Sequence, residues 1–427
     1  MVRLSQNVEA AYEPESAYAT APGSNLYHLG LLDTFDPRQV ERSITPVPSL
    51  GQSTDAQHAV GPLVVTVPIK VACNGTGWKQ LLGKAIGGTE ILSDKRANNL
   101  TTSVESLAVI AKETGGDYTL VAGVVPNEVT LSADYTTGGY ITVEANCTGY
   151  YSLDEGDANF DGFLGDDYSG VTWPSAPSAD PLLPTDLSVT VGVAAATNKL
   201  TVDGQANSSI EIGEQYMRIF DNPTGGLDSS ISSDGILDLT AGAEDTMEEV
   251  KALIHADGNW TCTRAGSDVD SQNLLKGIYS TESSQEIFAA TSMASFTNLK
   301  TVTLKIANNN TSISGKATGD DASTKWLLNN AISRGKADVT LDLTMTAEDE
   351  TYYDMYVAGT TIPLIRLDFG THGSIALTNG TITAFSRPLS PGGETIDSMS
   401  IKFRGAGNYK NFSAYAISSS ISLNPSG

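Results

Sequence analysis

The strongest pattern in the chain is a two-residue alternation of apolar and polar positions between residues 300 and 369. In KTVTLKIANNN (300–310), Val302, Leu304 and Ile306 alternate with Thr301, Thr303 and Lys305. That period marks a strand with one face on a core and one on water. A polar stretch follows, and the alternation resumes in ADVTLDLTM (337–345). AEDETYYDMYVAG (347–359) changes period: acidic residues crowd its start, Tyr352, Tyr353 and Tyr356 fall at helical spacing, and Gly359 can close it. It predicts a short helix. The apolar strand TIPLIRLDF (361–369) completes the block.

The same order occurs earlier in the chain. PLVVTVPIKV (62–71) reads as a strand, GTGWKQLLGKAIGG (75–88) as a short helix, SLAVIAKE (106–113) as a strand. DYTLVAGVVPNEVTLSADY (117–135) reads as a hairpin around Pro126 and Asn127, and YITVEANCTGYY (140–151) as a last strand. Their counterparts are ADVTLDLTM, the Tyr-rich helix, IPLIRLDF, SIALTNGTITAFSR (374–387) turning at Asn379 and Gly380, and DSMSIKFRGAG (397–407). This is a repeat of structural order rather than of letters.

The predicted fold class is mainly β: two copies of a strand-rich unit, each with a short flanking helix, plus a small inserted α/β domain. Residues 1–60 read as an N-terminal arm and first strand, with spaced Pro and Gly and a few sticky residues such as Tyr12, Tyr27 and Phe35. The first unit covers 61–151. Residues 152–183 are an acidic, Pro- and Gly-rich linker that predicts a loose tether for the domain after it. That inserted domain covers 184–282. In it Thr246 and Glu249 have the spacing of a capping box, and Met247, Val250, Leu253 and Ile254 form one apolar face. The second unit covers 296–427.

Composition narrows the function. Among 427 residues, 50 Asp and Glu stand against 25 Lys and Arg, a net charge of -25. No Lys/Arg cluster of the kind that neutralises phosphates is present, which argues against nucleic-acid affinity. Three cysteines, Cys73, Cys147 and Cys262, are widely spaced and read as buried thiols. No run approaches the ~20 apolar residues that span a bilayer, and the first residues lack the apolar core of a secretion signal. The expectation is synthesis in a cytoplasm and no membrane partner.

Catalytic motifs fail one by one, so no enzyme is expected. His28, His58, His255 and His372 are isolated. Gly77 to Lys84 has five residues between its glycines, and Ala85 stands where a phosphate loop needs Ser or Thr. Asp368-Phe369-Gly370 lacks the other kinase motifs. One metal candidate remains. Asp157, Asn159 and Asp161, with Gly162, match the opening of a calcium loop, but position 12 is Tyr168. A solvated acidic linker is the favoured reading there, Ca2+ the alternative; no other cofactor is expected.

VTLKIANNN, the loop reaching SRGKADVTLDLTM, and AEDETYYDMYVAGTTIPLIRLDF together resemble the tail tube proteins of long-tailed double-stranded DNA viruses. VAGVVPNEVTLSADYTTGGYITVEANCTG and the arm EPESAYATAPGSNLYHLG are similar to the earlier part of the same family. The resemblance leaves the inserted domain outside. It implies β-sandwich or barrel units that join sheets into rings, and rings that stack into a conduit for genome ejection. Two units per chain imply a trimeric, pseudo-hexameric ring, with a hexamer as the alternative. It further implies other tail proteins as partners, DNA passing through the lumen without specific binding, and a place in the virion tail after assembly in a host cytoplasm. The competing class is a secreted or cell-surface β-sandwich, pilus-like or carbohydrate-binding, to which the sequons at Asn74, Asn99 and Asn259 belong.

Overall fold

A computed structural model describes residues 8–15, 26–37, 39–47, 57–86, 94–96, 106–112, 118–154, 172–206, 208–220, 228, 231–232, 235–316, 327–333, 335, 337–347, 350–388, 394–404 and 414–417. The fold is mainly β, as the alternation predicts, and among the described residues no sheet closes into a barrel. The first unit comprises β1 (Glu9–Pro14), β2 (Tyr27–His28), β3 (Leu32–Phe35), β4 (Gln39–Val47), β5 (Gln57–Ala72), α1 (Gly77–Ile86), β6 (Asp94–Arg96), β7 (Leu107–Lys112), β8 (Tyr118–Asp134), β9 (Thr142–Gly149) and β10 (Tyr151–Asp154). Then β11 (Ser188–Asp203) leads into β12 (Ser209–Ile212), β13 (Tyr216–Phe220), β14 (Ile236–Asp238), α2 (Met247–Ala256), β15 (Thr261–Ala265), β16 (Gly277–Ser280) and β17 (Gln285–Ser295). The second unit adds β18 (Leu299–Ala307), β19 (Thr311–Lys316), β20 (Leu327–Ser333), β21 (Asp338–Thr346), α3 (Thr351–Ala358), β22 (Thr361–Asp368), β23 (Ser374–Ser386), β24 (Ile396–Phe403) and β25 (Ala414–Ile417).

The two units are wired alike, always antiparallel. In the first, β1 pairs with β7, β7 with β8, β8 with β9 and β10, and β9 with β5. In the second, β11 pairs with β22, β22 with β23, β23 with β24 and β25, and β24 with β21. Beyond β5 lie β3 and β4; beyond β21 lies β18. Even the irregularities coincide. Where Val65 faces Gly149, the bulge in β8 falls between Pro126 and Glu128; where Val339 faces Phe403, the bulge in β23 falls between Ile382 and Ala384.

The two hairpins predicted at Pro126–Asn127 and Asn379–Gly380 are single long strands instead, β8 and β23. Their turn-like residues mark a kink. Gly123 (φ 66°) and Asn379 (φ 53°) sit three residues ahead of each bulge, in the left-handed region that Gly and Asn tolerate. A tight hairpin needs two adjacent residues of that kind or a II′ turn; one such residue and a bulge only bend the strand. Gly380 is fixed for another reason: a Cβ there would lie 2.7 Å from the Phe403 ring. Each bent strand thereby serves two layers. Its first half belongs to an outer sheet with β7 or β22, its second half to an inner sheet with β9 or β24.

One apolar core lies between the layers and spans both units, from Val65, Val67 and Ile69 through Val143 and Leu304 to Leu341 and Ile401. The stretch read as an N-terminal arm and first strand supplies four strands to this network, β1 to β4, a correction with a simple cause. Their apolar residues are too few for a core of their own, but Ala10, Tyr12 and Leu29 complete the core of the first unit. Tyr12 is buried, and its hydroxyl shares a hydrogen bond of 2.9 Å with Thr76 Oγ1.

The insertion has its own core, from Leu200 and Val202 through Ile210, Met217 and Ile254 to Ile287. The sheet β14–β13–β12–β16 and helix α2 build it. Thr246 caps α2 as its spacing predicts, accepting from the Glu249 amide. The loose tether expected from the linker is not what holds this domain. β11 and β17 run as one antiparallel ribbon from the second unit into it, and β11 also pairs with β22. Leu364 and Ala376, on the outward side of the outer sheet, pack with Leu275, Ile278 and Ala290. At the centre Glu214 is fully buried, 2.5 Å from Arg366 Nε, 3.0 Å from Ser374 Oγ and 3.5 Å from Lys276 Nζ, which is itself fully buried.

Removing one partner from a buried charge cluster costs more than the cluster contributes, because charge remains in an apolar setting. Glu214→Ala is therefore expected to destabilise the protein by about 3–5 kcal/mol and to expose β11 and β17 to amide exchange. Thermal denaturation with exchange mass spectrometry measures both; unchanged exchange in the ribbon would mean that the network does not hold the insertion.

Candidate functional site

The functional candidate is a sheet with one open face and two open edges. Its order is β4, β5, β9, β8, β18, β21, β24, β23, four strands from each unit. The joint at its centre pairs β8 with β18 from Thr301↔Asp134 to Ala307↔Glu128. Val302, Leu304 and Ile306 point into the core beside Val129, Leu131 and Ala133. The intervening residues face solvent, so the strand pattern fixes the register: a slip of one residue would invert every side chain.

Asn308 and Asn310 lock the joint. The Asn308 amide donates to the Asn127 carbonyl at 2.7 Å, and its side-chain Nδ2 to the Pro126 carbonyl at 3.1 Å. The Asn310 amide donates to Asn127 Oδ1 at 2.9 Å, and its Nδ2 also reaches the Pro126 carbonyl at 3.1 Å. A bulge leaves backbone groups without ladder partners; here the asparagines that follow β18 supply them from the other unit.

The open face is rich in Thr and Ser, and three of its lysines are paired. Lys70 bonds Asp33 at 2.8 Å, Lys305 bonds Glu128 at 2.8 Å across the joint, and Lys402 bonds Asp338 at 2.9 Å. Such exposed pairs contribute little stability, about 0–1 kcal/mol each, but each occupies a lysine that would otherwise attract phosphate. Asp134, Glu144 and Asp342 add negative charge to the same side of the sheet. The Thr136 hydroxyl and amide, at 2.6 and 2.8 Å, hold the Asp134 carboxyl below its usual range. The face is net negative.

Both ends of the sheet are open among the described residues. β4 pairs with β5 on one side only, and β23 beyond Thr381 pairs with β24 on one side only. In the first unit the place corresponding to that free segment of β23 is filled by β18. The pairing between units could not be inferred from one strand at a time; the asparagine run after Ile306 was its visible trace.

Asp157, Asn159 and Asp161 lie outside the described residues. Among the described residues, no three His, Cys, Asp or Glu side chains gather as metal ligands would. His28 Nδ1 accepts from the Gly30 amide at 3.0 Å, in a turn. The stretch from Gly77 to Lys84 is wholly buried helix, and Asp368 Oδ1 accepts from the Gly370 amide at 2.9 Å, shaping the turn after β22.

No protein-family model matches the chain, and no curated protein matches it. Among solved structures, it is similar to a chain from the tail of an empty gene transfer agent particle with C6 symmetry, at 16% identity and a TM-score of 0.21, over 27% of this chain and 83% of that one. A chain from the virion of a native gene transfer agent particle gives the same identity, score and share of this chain, and 85% of its own. At that score the likeness carries no argument.

The Asn308 lock has a measurable signature. Asn308→Ala removes one of the two side-chain donors on the Pro126 carbonyl and is expected to cost about 0.5–1.5 kcal/mol, with faster amide exchange in β8 and β18. Thr303→Ala, on the open face, should stay within about 0.5 kcal/mol of the parent. Equal melting temperatures for the two variants would show that the bulge does not need the Asn308 side chain.

Proposed function

We propose that this chain is a non-enzymatic structural subunit of a virion tail, closing rings through its open sheet edges and stacking them into a tube that passes DNA. The observation that carries this reading is the β8–β18 joint. One unit already joins another edge to edge within the chain, and among the described residues the corresponding edges at the two ends have no ladder partner. The free segment of β23 in one chain would then meet β3 and β4 of the next as β8 meets β18. Ring closure disposes of exposed edges, which otherwise invite aggregation.

Strand spacing favours three chains. Neighbouring strands lie about 4.8 Å apart, so 24 inner strands give a circumference of roughly 115 Å and about 37 Å between opposite backbones. Side chains take about 5 Å from each wall, half the spacing of packed sheets. The remaining width, about 27 Å before strand tilt enlarges it, admits a duplex. Two chains would leave only about 14 Å by the same spacing. The open face would line this lumen, its lysines paired and its net charge repelling phosphates so that DNA slides. The insertion lies across the outer sheet from the core and would stand outside the tube.

The repeat also specifies the contact between chains. Glu128 faces Ala307 in the joint; by the shared register Ala384 takes the place of Glu128 and Glu41 that of Ala307. Both are exposed. The double variant Glu41→Cys, Ala384→Cys should therefore form a disulfide between chains, and the assembled ring should weigh three times the 44.8 kDa chain. The native thiols are buried, and desolvation pushes Cys262 up to about 12 and the other two higher still; they do not compete. A ring of six chains, or monomers without a cross-link, would overturn the trimer.

A further inference from the structure

The two unit helices occupy matching places in opposite surroundings. α1 follows β5 and packs along β8; α3 follows β21 and packs along β23, the matching strand. Every residue of α1 is buried, because the second unit closes over it. Trp78 meets Phe369 with ring centroids 5.6 Å apart, and β18 and β25 lie against the helix. No residue of α3 is buried. Tyr353, Tyr356 and Val357 are 44%, 39% and 67% exposed. The two tyrosines lean on Phe385, at 5.7 and 6.2 Å between centroids, in the free segment of β23. An aromatic patch therefore stands beside an open strand edge.

We propose that this face of α3 is a docking surface for the first unit of a second copy of this chain. The occupant follows from the repeat. The strand that covers α1, β18, pairs with β21 as β3 and β4 pair with β5. The other, β25, pairs with β23 as β10 pairs with β8. Carried one unit further, the rule puts β3, β4 and β10 of a second chain over Tyr353, Tyr356 and Val357. The residue types suit such a contact: tyrosines bring large apolar rings that keep a polar tip for the wet rim. The inference rests on the ring reading and adds to it a second, side-chain contact beside the backbone ladder.

A benzophenone amino acid in place of Val357 of the full chain tests it, with the ring mass of the parent protein measured alongside. Irradiation is expected to give cross-linked dimers with adducts in residues 32–41 or 151–154. Adducts confined to the same chain, or to other parts of the second chain, while the parent forms rings, would remove the helix contact and leave the rings. Absence of both rings and inter-chain adducts would overturn both. A second variant, Tyr353→Glu with Val357→Glu, should melt as the parent does but need at least about tenfold more protein to assemble, the loss expected from an interface hot spot. Assembly at the parent's concentration would again overturn the helix contact.

Discussion

The backbone ladder between β8 and β18 is the contact on which the rest of the structure depends. Without it each unit would have its own edge and its own small core. With it the apolar faces of β5, β9, β8, β18, β21, β24 and β23 lie on one continuous core, and α1 is enclosed on all sides. The ladder also sets the direction of everything else. It brings the Thr- and Ser-rich faces of both units to one side, and it leaves the outer layers on the other, where the insertion settles on β22.

Attachment of the insertion follows a different logic from that of the units. The units meet through backbone hydrogen bonds, the insertion through a ribbon continued from its neighbour and a buried carboxylate between two cations. A ladder tolerates change in side chains so long as the alternation survives. A buried charge cluster does not, since each member is costly without the others. The insertion is accordingly fixed in orientation, despite the Pro-rich stretch before it.

Elements with a clean period were legible from the residues alone: the alternation of β18 and β21, the cap of α2 at Thr246, and α3 ending at Gly359, whose φ is 62°. The order of the repeat was legible as well. What misled was local chemistry with two uses. Asn379 and Gly380 carry the residues of a turn but serve a kink and a close approach to Phe403. Glu9–Pro14 looked like part of a loose arm because its pairing partner, β7, lies about a hundred residues away. The candidate site was the least legible part. An open edge is defined by what fails to pair with it, and no short stretch of sequence records that.

The distance along the chain between the two strands of the joint has a consequence for how the protein is made. β8 ends at Asp134, and the first paired residue of β18 is Thr301. At about 5–20 residues per second of synthesis, the first unit waits on the order of ten seconds, with one strand of its sheet unpaired, before its partner leaves the ribosome. During that interval the nascent edge is open to any other extended chain nearby. Pro126 cannot donate to an added strand, and Glu128 and Asp134 place charge along it. Residues that are ordinary members of a ladder in the finished protein are thus guards of an edge in the unfinished one.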